Sequence, residues 1–173
     1  SPAIHAVAEF VWRENAALEL SFSLCPKLAE DGFDLLNLPS SSSSKASGSS
    51  QRLDNLWLHT CFEAFLARPG EAEYWELNAS PKGDWNLYRF NAYRTGGLAE
   101  PKALAPGVTF SRDRFGCRCT IEIELHPWWR HAEIPEFGLT MVVEDGSNNL
   151  SYWALSHPGN QPDFHDRRGF LRS

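Results

Sequence analysis

Leu18, Leu20, Phe22 and Leu24 alternate with Ala17, Glu19, Ser21 and Ser23. Cys117, Cys119, Ile121, Ile123 and Leu125 alternate in the same way with Arg118, Thr120, Glu122 and Glu124. A period of two predicts strands with one buried and one wet face. Residues 4–12, 108–113, 137–144 and 150–155 read as further strands, the first with apolar residues on both phases. Asn15 marks the turn of the first hairpin, and 145–149 (Asp-Gly-Ser-Asn-Asn) that of the last. Residues 33–38 read as a short strand, 98–107 as an irregular Ala- and Pro-rich connection, and 156–173 as irregular chain. Pro127-Trp128-Trp129 predicts a helical turn running to His131.

The middle of the chain, 56–94, reads as three consecutive strands, 56–67, 73–78 and 84–93. Pro69-Gly70, Ser80-Pro81-Lys82-Gly83 and Gly96-Gly97 punctuate them. The whole chain gives about nine to eleven short strands at roughly 8–12-residue spacing and no long helix, which predicts an all-β antiparallel sandwich of jelly-roll or immunoglobulin-like type. Its 173 residues suit a single domain over 1–173. The Ser-rich run at about 39–51 is low in complexity and predicts a flexible surface loop, either inert or a lid, leading into Trp57.

Composition narrows the function. A net charge of −6 argues against nucleic acid and, more weakly, against an anionic membrane surface. No apolar run reaches membrane-spanning length, and SPAIHAVAEF lacks the layout of a signal peptide. Cys25, Cys61, Cys117 and Cys119 contain no C-x-x-C and read as reduced, mostly buried thiols, which points to the cytoplasm. An aromatic share of 13% is high, and the rings crowd the central meander beside polar, fork-shaped side chains. Such a surface can stack on a ligand and hydrogen-bond its edges.

Trp57, Trp85 and Trp153 are candidate stacking platforms; each could equally fill the core. Glu63, Asn78 and Arg94 are candidate hydrogen-bonding groups, with His59 and Tyr88 beside them. Glu63, flanked by Phe62, Ala64 and Phe65, needs a partner, for which Arg89 and Arg94 are candidates. The late His-Pro loop, with His157, Asp163, His165 and Asp166, is expected to close one rim of the pocket. Its spacing matches no metal motif, and no metal is expected. No catalytic residue is assigned: G-x-S-x-G, P-loop, G-x-G-x-x-G and H-E-x-x-H motifs are missing. The acids Glu63, Glu76, Glu122, Glu124 and Glu144 carry the enzyme alternative. An exposed Trp128-Trp129 patch would instead mark a module that contacts another protein.

Two blocks carry a resemblance. W-x-x-T-C-F-E-x-F, Y-x-E-x-N-x-S-P-x-G-x-W and Y-x-F-x-x-Y-R form the first; S-Y-W-A-L-x-H-P-x-x-x-P-D-F-H at 151–165 is the second. They resemble DOMON-like domains, also called carbohydrate-binding module family 9-like. The resemblance implies a β-sandwich that binds sugars or haem, with a terminal sugar held between aromatic rings in its sugar-binding members. A saccharide or similar polyhydroxylated ligand, bound without catalysis and without a cofactor, is the expectation. Haem, held by Met141 with a His or by His59 or His157 alone, is the alternative.

Overall fold

A computed structural model describes residues 4–13, 15, 17–26, 36–43, 50–130 and 133–172. Among these residues, eleven strands form two antiparallel sheets that pack face to face as an all-β sandwich. The five-stranded sheet contains β1 (Ile4–Arg13), β2 (Ala17–Pro26), β3 (Ser41–Ser43), β8 (Gly107–Asp113) and β9 (Gly116–Glu124), in the order β1-β2-β9-β8-β3. The six-stranded sheet contains β4 (Cys61–Ala67), β5 (Tyr74–Ala79), β6 (Trp85–Phe90), β7 (Leu98–Ala99), β10 (Glu136–Glu144) and β11 (Leu150–Ala154), in the order β11-β10-β4-β5-β6-β7.

The two alternating strands pair as their pattern requires. Leu20 faces Ile121 and Phe22 faces Cys119, so the apolar phases of β2 and β9 meet on one face. That face packs on the inner phase of the other sheet, which includes Phe62, Leu77, Leu87 and Met141. Phe22 and Phe62 meet at 5.4 Å between ring centres, and Phe10 stacks on Phe137 at 4.2 Å. Glu122 and Glu124 point to solvent.

The central strands differ from a one-sided pattern. Every residue of β4 and β5 is buried, so the outer face of this sheet is covered as well. The cover is the late chain. Leu171 exchanges backbone hydrogen bonds with Phe137 at 3.0 and 2.7 Å. Phe170 lies on Phe65, and Gly138 makes room for it: a Cβ at 138 would meet the Phe170 ring at 2.7 Å. Arg167 donates to the Arg68 carbonyl at 3.0 Å and to Glu136 at 2.6 Å.

Three expectations change. The first predicted central strand begins later, since 56–58 is a 3₁₀ turn whose N-cap, Asn55, has φ of 62°. Within the Ser-rich run, read from sequence as loop, Ser41–Ser43 pairs with β8 as an edge strand, while 44–49 lie outside the described residues. Trp128 and Trp129 are not an exposed patch but lie 6% and 3% accessible. They pack on Trp75, with the Arg68 guanidinium over Trp75 and Trp129 at 4.8 and 5.1 Å, a cation–π arrangement that ends the sandwich. The helical turn expected to run to His131 is a hydrogen-bonded turn over its described part, and His131 lies outside the described residues. Likewise 33–35 are not described, and Leu36 makes a single bridge to Asp145.

Candidate functional site

Register sets the outer face of the six-stranded sheet. Thr140, Glu63, Asn78 and Asn86 stand side by side across β10, β4, β5 and β6, and Gly138, Phe65, Glu76 and Tyr88 form the next row. Glu63 and Glu76 are therefore diagonal neighbours on adjacent strands, within reach of each other's field. Above them opens a hollow of about 460 Å³, the size of a small-ligand site. The two glutamates with Phe65, Tyr88 and Val142 make its floor. Trp57 and Leu58, Leu150 and Tyr152, Phe90 and Arg94, and Pro162, Phe164 and His165 make its walls.

Both carboxyls are almost sealed, Glu63 at 3% and Glu76 at 7% exposure. Thr140 Oγ1 donates to Glu63 Oε2 at 3.2 Å, and Asn78 Nδ2 donates to Glu76 Oε1 at 3.0 Å. Burial, reinforced by the charge of Glu76, pushes Glu63 up to about 8. Burial pushes Glu76 up to about 7, against the pull of Asn78 and Arg94. Near neutral pH the pair thus retains protons that ordinary glutamates have lost.

The walls are held by their own networks. Tyr88 donates to Asp54 Oδ1 at 2.7 Å, and Asn86 Nδ2 donates to the same oxygen at 3.0 Å, which fastens the 3₁₀ turn to β6. Burial and these contacts with Asp54 raise the Tyr88 phenol far above its usual range. Trp57 meets the Tyr88 ring edge-on at 5.9 Å. On the opposite wall Arg94 adopts φ of 49° and pairs with Asp163 at 2.8 Å. Burial works to raise Asp163, but the Tyr93 hydroxyl and Arg94 outweigh it and hold its carboxyl low.

His165 lies edge-on to Phe65 and Phe90, with Tyr74 Oη 2.7 Å from its Nδ1. Burial, with Arg94 nearby, lowers it to about 4, so the ring is neutral. Tyr74 Oη also accepts the Arg94 backbone N–H at 3.1 Å. The 3.6 Å approach of Nε2 to Glu76 is then no ion pair and is long for a hydrogen bond.

Of the residues singled out from sequence, Trp57, Glu63, Tyr88, Arg94 and His165 meet around this hollow. Asn78, fully buried, lies on the same face as the partner of Glu76. The others lie elsewhere. Trp85 is on the inner phase of β6, in the core, with Arg52 5.0 Å from its ring. Trp153 packs against the same core and donates to Ser151 Oγ at 3.0 Å. His59 lines a separate recess and bonds Glu144 through Nδ1 at 3.0 Å. His157 stacks on Phe164 at 6.2 Å outside the hollow.

The expected ion pair of Glu63 with Arg89 or Arg94 is not made: Arg89 pairs with Glu73 and Arg94 with Asp163, leaving Glu63 to Thr140. Met141 belongs to the inter-sheet core, on the face away from the hollow, so a Met141–His ligand pair does not fit there. Among the described residues no three His, Cys, Asp or Glu side chains converge on a possible metal position. All four cysteines are free thiols, three buried and Cys25 exposed.

Sequence reasoning left out Glu76 as a binding residue, together with Phe65, Phe90, Tyr152 and Phe164. Strand parity carried the signal for three of them: Glu76 shares a phase with Tyr74 and Asn78, and Phe65 one with Glu63, while Phe90 shares one with Tyr88.

No protein-family model matches this sequence. No curated protein matches it either. Among solved structures, the chain is similar to the crystal structure of a "putative carbohydrate-binding protein" from Bacteroides uniformis, solved at 2.70 Å. The TM-score is 0.58 at 10% identity, over 97% of this chain and 77% of the other. At that identity the likeness is one of fold.

Proposed function

We propose that this chain is a non-catalytic binding module for a saccharide or a similar polyhydroxylated small molecule, held in the hollow over Glu63 and Glu76. The carrying observation is a pair of sealed, hydrogen-bonded carboxyls at the bottom of a hollow walled by aromatic rings. A pyranose has apolar C–H faces that suit ring surfaces and equatorial hydroxyls that suit planar carboxyls. The hollow offers both at monosaccharide scale, from side chains locked by neighbours such as Thr140, Asn78 and Asp54. The fold shared with the Bacteroides protein supports this reading, as does the sugar-binding side of the DOMON-like resemblance.

Calorimetry against a saccharide panel, with the Trp57→Ala variant alongside, tests the reading. The expected result is a saccharide that binds the wild type and loses at least about tenfold in affinity in the variant, about 1.4 kcal/mol. A saccharide bound equally well by the wild type, Trp57→Ala and Tyr152→Ala would move the site away from this hollow.

A further inference from the structure

We infer that the ligand of this hollow carries a protonated amine seated against Glu63 and Glu76, so that the saccharide class to expect is an amino sugar with a free amino group. The inference rests on the hollow being a saccharide site and specifies which saccharides it takes.

The hydrogen-bond polarity of the floor is one-sided. Its donors are engaged within the protein: the Thr140 hydroxyl on Glu63, the Asn78 amide on Glu76, the Tyr88 hydroxyl on Asp54. Apart from the proton that the two carboxyls retain, what remains is acceptor capacity. The carboxyl oxygens have lone pairs left, and beneath them Asn78 Oδ1, sealed on the same face and not itself lining the hollow, has no hydrogen-bond partner among the described residues. An ammonium group brings three donors and no acceptor.

On the lining, Arg94 is the cation whose field reaches Glu76. Among the described residues no Lys or Arg pairs with either glutamate. Arg68 and Arg89 are taken by Glu73, and Arg94, the cation on the wall, is taken by Asp163. His165 is neutral at 3.6 Å. The other ionisable groups facing the pair are the Cys61 thiol on β4, the Tyr88 phenol from β6 and Tyr74 through His165, all uncharged near neutral pH. Two neighbouring carboxyls cannot both ionise cheaply in such a place. An ammonium ion between them removes that penalty and displaces the retained proton. The surrounding rings of Trp57, Phe65 and Phe90 add cation–π attraction. A purely structural role explains the pair less well, because glutamine or leucine there would avoid the cost of burying two acids.

Calorimetry on the intact chain with D-glucosamine, D-glucose and cyclohexylamine, in two buffers of different ionisation enthalpy, tests the inference. Glucosamine should bind at least about tenfold tighter than glucose, with a heat that depends on the buffer because protons leave the site. The preference should vanish in Glu63→Gln and Glu76→Gln, whose folding is verified by circular dichroism and thermal melts. Glucose binding as tightly as glucosamine overturns the inference and leaves the saccharide reading standing. Cyclohexylamine binding without either sugar removes the saccharide reading and with it the amino-sugar assignment. No binding of all three at millimolar concentration overturns both.

Discussion

Tyr74 on β5 and His165 in the late loop are joined through Oη and Nδ1 at 2.7 Å, and this bond ties the cover of the outer sheet to its floor. The same oxygen receives the Arg94 backbone N–H at 3.1 Å, where the chain bends into φ of 49°. One phenol thus holds two walls of the hollow. Tyr74→Phe removes the partner of both groups and leaves them unsatisfied in a half-buried setting. The expected cost is roughly 1–3 kcal/mol by urea unfolding, with the ring stack of position 74 on Phe90 retained.

The two glutamates make stability depend on pH. Both bind protons more tightly in the folded than in the unfolded chain, so their contribution is complete below the ordinary value of 4.5 and is lost as pH rises through about 7 for Glu76 and about 8 for Glu63. His165 acts in the opposite sense. It is lowered from 6.5 to about 4, so its contribution is lost as pH falls through that window. Thermal melts should therefore show greatest stability on the acid side of neutrality. In Glu63→Gln the decline toward pH 8 should flatten, with a melting temperature at pH 8 raised by roughly 2–4 °C, the equivalent of about 1 kcal/mol.

Two tryptophans should respond in opposite ways to truncation. Trp85 is 5% exposed in the inter-sheet core, so Trp85→Ala should cost roughly 3–5 kcal/mol. Trp57 is 37% exposed at the mouth of the hollow, so Trp57→Ala should leave the melting temperature within a few degrees of wild type, roughly. Its effect should fall on ligand affinity instead. Paired unfolding and binding measurements on the two variants check this separation.

The hairpins and the sandwich were legible because β2 and β9 bury one phase only, and a period of two then states which side chains turn inward. The central meander gave less. β4 and β5 are covered on both faces, so Phe62 and Phe65, or Trp75 and Glu76, carry no difference in hydropathy that assigns a face. For the same reason Trp57, Trp85 and Trp153 looked alike in sequence, although the structure places only Trp57 at the hollow. Glu63 stood out as a carboxyl among phenylalanines. Its partner did not, because Thr140 lies 77 residues away and only the β4–β10 register brings it near. The late loop has no period at all, and its role depends on tertiary bonds such as Tyr74–His165.

The most direct test of the central claim follows the tryptophan indole N–H resonances by NMR while a binding saccharide is titrated in. The account predicts that the Trp57 indole shifts saturably while those of Trp85 and Trp153 stay in place. A bound saccharide that leaves Trp57 unmoved and shifts the indole of Trp85 or Trp153 would contradict it.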